Sequence, residues 1–266
     1  MISDKERFLA NKKILITRSL DTAKETTKIF EDFGASVFLF PALDFQPVAN
    51  CPGFDDLVKL KEKIDFIIFT SVNTVIFFDR RLKSSGADLK YDKIRVITVG
   101  KKTASVCEKL NIPIGYISPH QNAKCLVEYF KKADIKGKLV LYPCSNLANN
   151  FLPNTLSSMG ATVKAFVLYE NSIPSEEIIK KYIDNLGNAD YDWVVFTSPS
   201  SFRNFLTITK EHKIKNVLRD NIVSIGETTS AEILNNNYVP FITSSENSID
   251  GIIESMINYY KSKENK

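Results

Sequence analysis

The chain has 266 residues, of which 44% are hydrophobic and 25% are charged, and its formal charge at pH 7 is +4. These proportions are average for a globular protein and exclude a disordered or collagenous chain. The length favours two domains, and the basic residues lie in pairs diluted by acids, so no nucleic-acid-binding stripe is expected. The slight excess of positive charge fits an acidic small ligand, and it also fits a solvated lysine-rich surface.

The sequence predicts neither a membrane span nor a metal site. The apolar runs 66–69 and 193–196 have the length of a strand, far below the roughly 20 residues of a membrane helix. Residues 1–11 lack the apolar core of a signal peptide, which predicts a cytoplasmic protein. Four cysteines and two histidines are scattered without metal-ligand spacing. Cys144 could be a nucleophile, but no histidine is near in sequence and a buried structural thiol is the commoner case.

In chain order, short β-branched runs alternate with segments of helical periodicity. The first helical segment ends before Gly34, which is expected at the C′ position just past the helix. Strands followed by helices indicate βαβ units with parallel sheets, and continuously apolar strands indicate burial on both faces. The predicted strands of the first half are 14–17, 37–40, 64–69 and 95–99, and the predicted helices are 22–33, 73–82, 102–110 and 126–132.

The chain repeats itself at a spacing of 126 or 127 residues. Phe66-Ile-Ile-Phe-Thr-Ser71 is echoed by Trp193-Val-Val-Phe-Thr-Ser198, and Val96-Ile-Thr-Val-Gly100 is echoed by Ile222-Val-Ser-Ile-Gly226. Two further segments obey the same offset, so the sequence consists of two related halves, 12–133 and 138–261. We therefore predict two related, doubly wound parallel-sheet lobes.

Ligands of doubly wound sheets bind at the carboxyl ends of the strands, and polar residues follow each predicted strand. The helix starts at these positions favour anions, although Ser71, Thr103 and Ser198 could simply be N-caps. No GxGxxG or P-loop spacing is present, which disfavours a nucleotide enzyme. The candidate binding residues at strand ends are Arg18, Ser71, Asn73, Gly100, Thr103, Ser145, Ser198, Ser200, Gly226 and Thr228.

Two side chains have alternative interpretations. Tyr169 closes a predicted strand and could donate a proton to a leaving hydroxyl, but it could also make a structural hydrogen bond. Arg18 could bind an anion or lie on the surface as a fixed charge.

Two proline-terminated runs, 38–47 and 164–174, occupy equivalent places in the repeats and are interpreted as crossings between the lobes. This predicts a discontinuous domain of residues 1–39 and 173–266, an inserted domain of residues 46–165, and connecting strands at 40–45 and 166–172. A cleft between the lobes is then the default site.

An ordered set of motifs resembles the uroporphyrinogen-III synthase family along nearly the whole chain. The departures are Ser19, where the family often has proline, and residues 146–149, where it often has arginine or lysine. The motifs are Leu15-Ile-Thr-Arg18, Phe40-Pro41, Phe69-Thr-Ser71, Val99-Gly100, Leu141-Tyr-Pro-Cys-Ser145, Gly160-Ala161, Val167-Leu-Tyr169, Phe196-Thr-Ser-Pro-Ser200 and Ile225-Gly-Glu-Thr-Thr229.

The resemblance implies a two-lobed α/β fold with a two-stranded connection, no cofactor, and conversion of hydroxymethylbilane to uroporphyrinogen III with loss of water, inversion of ring D and macrocycle closure in the cleft. It also implies that Tyr169 assists loss of the hydroxyl and that Thr228 faces the cleft. Ser71, Thr103, Ser145, Ser198 and Gly226 would contact substrate, mostly through backbone groups. Hydroxymethylbilane synthase would supply the substrate, and a monomer is expected.

Two other functions remain open at this stage. Duplicated α/β lobes also occur in non-catalytic small-molecule-binding proteins, and a transferase of a phosphate-bearing ligand could use the same anion-binding turns.

Overall fold

The computed structural model describes residues 8–54, 57, 63–119, 123–187 and 190–264. The chain divides into two compact units, one of residues 1–44 and 172–266 and the other of residues 45–171. We call them the terminal unit and the inserted unit. Residues 40–44 therefore belong to the terminal unit and residues 166–171 to the inserted unit.

Strands and helices alternate along the described chain, and none of the described helices is long and apolar enough to cross a membrane. The strands are β1 (Lys13–Ile16), β2 (Ser36–Leu39), β3 (Asp44–Pro47), β4 (Phe66–Phe69), β5 (Arg95–Val99), β6 (Tyr116–Ser118), β7 (Leu139–Ser145), β8 (Thr162–Ser172), β9 (Trp193–Phe196), β10 (Ile222–Ser224) and β11 (Ile242–Thr243). The helices are α1 (Leu20–Asp32), α2 (Val72–Ser84), α3 (Gly100–Lys109), α4 (Ala123–Lys132), α5 (Phe151–Ser158), α6 (Glu176–Tyr182), α7 (Asp184–Gly187), α8 (Pro199–Glu211), α9 (Glu227–Asn235) and α10 (Ile249–Glu264).

The terminal unit contains a parallel sheet in the order β11-β10-β9-β1-β2. Its central strands β1, β9 and β10 are buried almost throughout, and successive side chains of a strand point to opposite sides of the sheet. Ile14 and Ile16 pack in one hydrophobic core, and Leu15 packs in a second core on the other face. This is the doubly wound arrangement that the continuously apolar strands predicted.

The inserted unit contains a sheet in the order β3-β8-β7-β4-β5-β6, and β8, β7, β4, β5 and β6 pair in parallel. It too separates two cores, with Ile67 and Phe69 of β4 in one and Phe66 and Ile68 in the other. The predicted fold class, two doubly wound parallel-sheet lobes, is confirmed in each unit.

Each sheet combines strands from both sequence repeats. At the repeat offset, β1 corresponds to β7, β2 to β8, β4 to β9, β5 to β10 and β6 to β11. The order β11-β10-β9-β1-β2 is therefore equivalent to β6-β5-β4-β7-β8. The repeats of the sequence are not the folding units, because each unit takes three core strands from one repeat and two from the other.

The first helix of each repeat ends in the same motif. Gly34 and Gly160 occupy the C′ position with φ of 90° and 93°. At the second site the Gly160 N–H donates to the Ser157 carbonyl at 3.0 Å, and the Ala161 N–H donates to the Leu156 carbonyl at 3.2 Å. This is the Schellman pattern, in which glycine tolerates a left-handed backbone that strains other residues.

We expect Gly160→Ala to lower the free energy of unfolding by about 1–2 kcal/mol. The alanine would have to keep the left-handed backbone conformation of Gly160, which brings its Cβ too close to the neighbouring backbone. Gly187→Ala is the control, since a Cβ there meets nothing within 4 Å and Gly187 ends a helix. Urea unfolding followed by circular dichroism compares the two variants. Equal midpoints for both would contradict the role assigned to Gly160.

Candidate active site

A pocket of about 290 Å³ lies within the inserted unit, at the carboxyl ends of β4, β7 and β8. This is the edge at which doubly wound sheets bind ligands. The described residues of its lining combine hydroxyl groups with apolar side chains, and none of them is charged. The lining residues are Thr70, Ser71, Thr74, Val99, Leu126, Tyr142, Cys144, Ser145, Leu147, Ala148, Asn149, Leu152 and Tyr169.

Tyr169 is fixed in this pocket by its ring and by its hydroxyl. The side chain is 6% exposed, and its ring stacks on Phe77 with centroids 4.8 Å apart and an angle of 13°. Phe45 contacts the ring edge-on at 6.0 Å. The phenol oxygen lies 3.2 Å from the Ser71 Oγ, a hydrogen bond in which either atom can donate. The contact with Ser71 thus holds the one predicted catalytic residue at the pocket wall.

An irregularity in the pairing of β7 with β8 sets the direction of Tyr169. The register runs regularly to Cys144 opposite Val167, and the next pair is Ser145 opposite Tyr169. Leu168 and Tyr169 consequently pack in the same core cluster, although neighbouring residues of a regular strand point to opposite faces. The shift therefore turns the phenol towards the side from which Ser71 approaches.

Ser71 connects the phenol to the first turn of α2. As the N-cap of this helix it accepts a hydrogen bond from the Thr74 N–H at 3.1 Å, and its Oγ lies 2.8 Å from the Thr74 Oγ1. The capping interpretation of Ser71 is correct, and the same hydroxyl also contacts the tyrosine. Since a helix N-terminus carries partial positive charge, Ser71 links the Tyr169 hydroxyl to the positive end of the α2 dipole.

Tyr142 is a second phenol in the pocket, and it was not among the predicted site residues. It is 7% exposed and belongs to the core on the opposite face of the sheet from Tyr169. The pKa of Tyr142 is raised, chiefly by burial, and a hydrogen bond with the Thr70 hydroxyl offsets part of the rise. A comparison of the two repeats could have identified Tyr142. Its counterpart is the buried Ile16, and a tyrosine in place of an aliphatic side chain adds a polar group to the core.

The predicted residues of the inserted unit are only partly brought together. Ser71, Ser145 and Tyr169 line the pocket, whereas Asn73, Gly100 and Thr103 do not. Asn73 is in the first turn of α2, and Gly100 begins α3 with φ of 78°. Thr103 is buried inside α3, whose N-cap is Val99, so the interpretation of Thr103 as an N-cap was wrong.

The predicted residues of the terminal unit lie at the carboxyl ends of its adjacent strands β1, β9 and β10. Arg18 follows β1, its Nε donates to the Thr22 Oγ1 at 3.1 Å, and burial lowers the pKa of its guanidinium. Ser198 is the N-cap of α8, accepting from the Ser201 N–H at 3.1 Å, which also makes its capping interpretation correct.

The three remaining candidates lie at the starts of α8 and α9. Ser200 lies in the first turn of α8, with its Oγ 3.2 Å from the Ser198 Oγ. Gly226 is the buried N-cap of α9, and a Cβ there would lie 2.0 Å from the Asn247 Oδ1. Thr228 is exposed in the first turn of that helix.

Among the described residues, no group of three or more His, Cys, Asp or Glu side chains is placed to hold a metal ion. The polar side chains that the described residues contribute to the pocket of the inserted unit are hydroxyls, phenols, one amide and one thiol. Such a set can bind anions through neutral donors and can move a proton.

Comparison with known proteins identifies the family. A family model described as Uroporphyrinogen-III synthase HemD matches residues 24–254. A uroporphyrinogen-III synthase from Chlorobaculum parvum is 32% identical over 226 residues, covering 84% of this chain and 88% of that protein. The chain belongs to the uroporphyrinogen-III synthase family. The resemblance carried by the motifs is therefore confirmed, and so is the prediction of a cyclising enzyme of tetrapyrrole biosynthesis.

Solved structures of uroporphyrinogen III synthases share the fold at low sequence identity. A mutant enzyme from Thermus thermophilus superposes with a TM-score of 0.61 at 16% identity, covering 96% of this chain and 100% of that one. The enzyme from Helicobacter pylori gives 0.60 at 17% identity, covering 93% and 99%. The two-lobed α/β architecture is thus a property of the family fold.

Where the sequence departs from the usual pattern of the uroporphyrinogen-III synthase family, the replacing residues have structural contacts. Ser19 is the N-cap position of α1, and its Oγ lies 3.0 Å from the Thr22 Oγ1. Asn149 lines the pocket, and its Oδ1 accepts from the Phe151 N–H at 3.1 Å at the start of α5. The Asn149 side chain therefore places a neutral amide at this corner of the pocket.

The pocket thiol should react slowly with alkylating agents. Burial raises the pKa of Cys144 to about 11, and its Sγ donates to the Phe166 carbonyl at 3.4 Å. Because the reactive thiolate fraction falls about tenfold for each pH unit below the pKa, iodoacetamide labelling should rise about tenfold per unit from pH 8 to 10.

Mass spectrometry of the Cys144 peptide measures this dependence. Cys107, whose pKa burial raises to about 12 and which lies outside the pocket, is the control and should react more slowly. A labelling rate that is already constant above pH 7 would show an activated thiol and would contradict the assignment of Cys144 as structural.

Proposed function

We propose that the chain converts hydroxymethylbilane to uroporphyrinogen III and that Tyr169 is its proton donor. The observation that carries the residue assignment is the Tyr169 phenol, held 3.2 Å from the Ser71 Oγ in a pocket at the carboxyl ends of the strands. Membership of the uroporphyrinogen-III synthase family supplies the reaction. The site residues supply hydrogen bonds, and the Tyr169 phenol supplies the proton for the first step.

In the first step, the proton of Tyr169 is transferred to the terminal hydroxyl of the substrate. The C–O bond then breaks, water leaves, and the electron-rich pyrrole nitrogen stabilises the resulting azafulvenium cation. The phenolate left on Tyr169 is stabilised by the Ser71 hydroxyl, which is in turn bonded at the N-terminus of α2. Proton transfer to a leaving group in this way is general acid catalysis.

In the second step, the azafulvenium carbon is attacked by the substituted α-carbon of ring D, giving a spiro intermediate. The older bond to the bridging carbon breaks and re-forms at the other α-carbon of the ring, which inverts it. The final loss of a proton from the macrocycle returns the proton to Tyr169. The net change is loss of one water, and the acid is regenerated.

Selectivity then depends on how the bilane is held before ring closure. Unaided, the azafulvene closes to the uninverted isomer, so the enzyme must favour the rearranging geometry. In the pocket, the hydroxyls of Thr70 and Tyr142 and the first turn of α2 can donate to the acetate and propionate groups. In the terminal unit, Arg18, Ser198, Ser200, Gly226 and Thr228 would make further substrate contacts.

We further propose that the enzyme is a cytoplasmic monomer that receives its substrate from hydroxymethylbilane synthase. Three of the cysteines, Cys51, Cys107 and Cys144, are buried free thiols. Thiols without disulfide partners are typical of a reducing compartment. Release of an unstable bilane by one enzyme also favours immediate capture by the next.

The reaction is tested by supplying freshly generated hydroxymethylbilane to the purified protein without added cofactor and separating the oxidised uroporphyrin isomers by chromatography. We expect isomer III to predominate, because the enzyme directs closure through the inverted ring. Isomer I alone, from protein whose circular dichroism shows it to be folded, would reject the proposed activity. A small-molecule-binding protein that has kept the fold would then be the better assignment.

We expect Tyr169→Phe to lower kcat at least tenfold while KM changes by less than about threefold, because the variant loses the proton donor but keeps the ring that stacks on Phe77. The matched control is Tyr116→Phe, since Tyr116 stacks on Tyr129 in the same unit and does not line the pocket. Wild-type turnover in Tyr169→Phe would reject the acid role, and an equal loss in both variants would indicate a general structural effect.

A further inference from the structure

Asn146, the first residue after β7, holds the end of β8 with two hydrogen bonds. Its backbone N–H donates to the Tyr169 carbonyl at 3.2 Å. Its side-chain Oδ1 accepts from the Asn171 N–H at 2.9 Å. The two bonds thus bracket the segment 169–171, which begins with the candidate acid.

These bonds continue the parallel pairing by means of a side chain. In a parallel ladder, a residue donates its N–H to one partner carbonyl and accepts, at its own carbonyl, the N–H two positions further along the partner strand. Asn146 donates in the normal way to residue 169, but it accepts from residue 171 with its amide Oδ1. The side chain therefore replaces a backbone carbonyl at a position where the β7 backbone has already turned away.

The position of these bonds matters because the regular ladder is interrupted immediately before them. The register shifts between Cys144 and Ser145, so Tyr169 follows the one irregular step of the β7–β8 pairing. Beyond Asn171 the chain passes into the terminal unit. Asn146 thus holds the backbone of Tyr169 between an irregular step on one side and the exit of the chain on the other.

The other repeat shows that this device is absent where the phenol is absent. At the repeat offset, Asn146 corresponds to Leu20 and Tyr169 corresponds to Leu43. Leu20, the first residue of α1, has no side-chain amide that could replace a backbone carbonyl. The capping serines, by contrast, are kept in both repeats as Ser71 and Ser198. The capping serines, which both repeats share, are explained by the stability of the fold. Asn146, in contrast, is present only in the repeat that contains Tyr169.

We propose that Asn146 is a positioning residue that acts through Tyr169. It keeps the phenol within hydrogen-bonding distance of Ser71, in the position from which the phenol gives its proton to the substrate hydroxyl. This inference rests on the proposed acid role of Tyr169. Asn146 is exposed, so water can satisfy the Asn171 N–H when the amide is removed. The loss therefore affects the placement of the phenol much more than the stability of the fold.

The test compares steady-state kinetics of Asn146→Ala with those of two further variants. We expect kcat to fall about threefold to tenfold, as for one lost hydrogen bond of ordinary strength, with KM within twofold and the melting temperature nearly unchanged. Asn146→Asp keeps the acceptor oxygen and should restore most of kcat at saturating substrate. Asn150→Ala is the matched control, because Asn150 is exposed in the same loop, makes no side-chain capping bond and does not line the pocket.

The decisive measurement repeats Asn146→Ala in the Tyr169→Phe background. If Asn146 acts through the phenol, the second substitution should change kcat by less than about twofold. The same fold loss in both backgrounds, or wild-type kcat in Asn146→Ala, would overturn the inference while leaving the synthase activity intact. Failure of the wild-type protein to form isomer III would instead reject the proposed function itself.

Discussion

The fold depends on two strand pairings that join the halves of the duplicated sequence. In the terminal unit β1 pairs with β9, and in the inserted unit β4 pairs with β7. Each pairing connects a strand of the first repeat to one of the second, so neither repeat can complete a sheet from its own strands. Unpaired backbone groups at a buried strand edge are costly, and exchanging strands between the repeats satisfies them.

The same pairing of β4 with β7 assembles the pocket. Ser71 follows β4 in the first repeat, while Tyr142 lies on β7 and Tyr169 on the neighbouring β8 in the second. Residues 98 positions apart in sequence therefore meet at a hydrogen-bonding distance of 3.2 Å. Parallel strands place all their carboxyl ends at one edge, which is why polar residues from separate repeats converge there.

Duplication also separates residues that serve the fold from residues that serve the site. The capping serines and the Schellman glycines recur in both repeats, because each helix needs the same terminal hydrogen bonds. Tyr142 and Tyr169 have the aliphatic counterparts Ile16 and Leu43, all four of them buried. Phenols at these positions add chemistry where the fold requires only an apolar side chain.

The sequence by itself determined the fold class, the internal repeat, the family and the buried strands, because each leaves a local or periodic pattern in the chain. It also singled out Tyr169 and Ser71 as candidates from their positions at strand ends. Only the tertiary structure decided that Ser71, Ser145 and Tyr169 share a pocket while Asn73, Gly100 and Thr103 lie outside it. It also decided that Tyr142 and Asn146 belong beside them, since a shift in strand register and a side chain replacing a backbone carbonyl arise from pairing between distant segments and leave no periodic trace in the sequence.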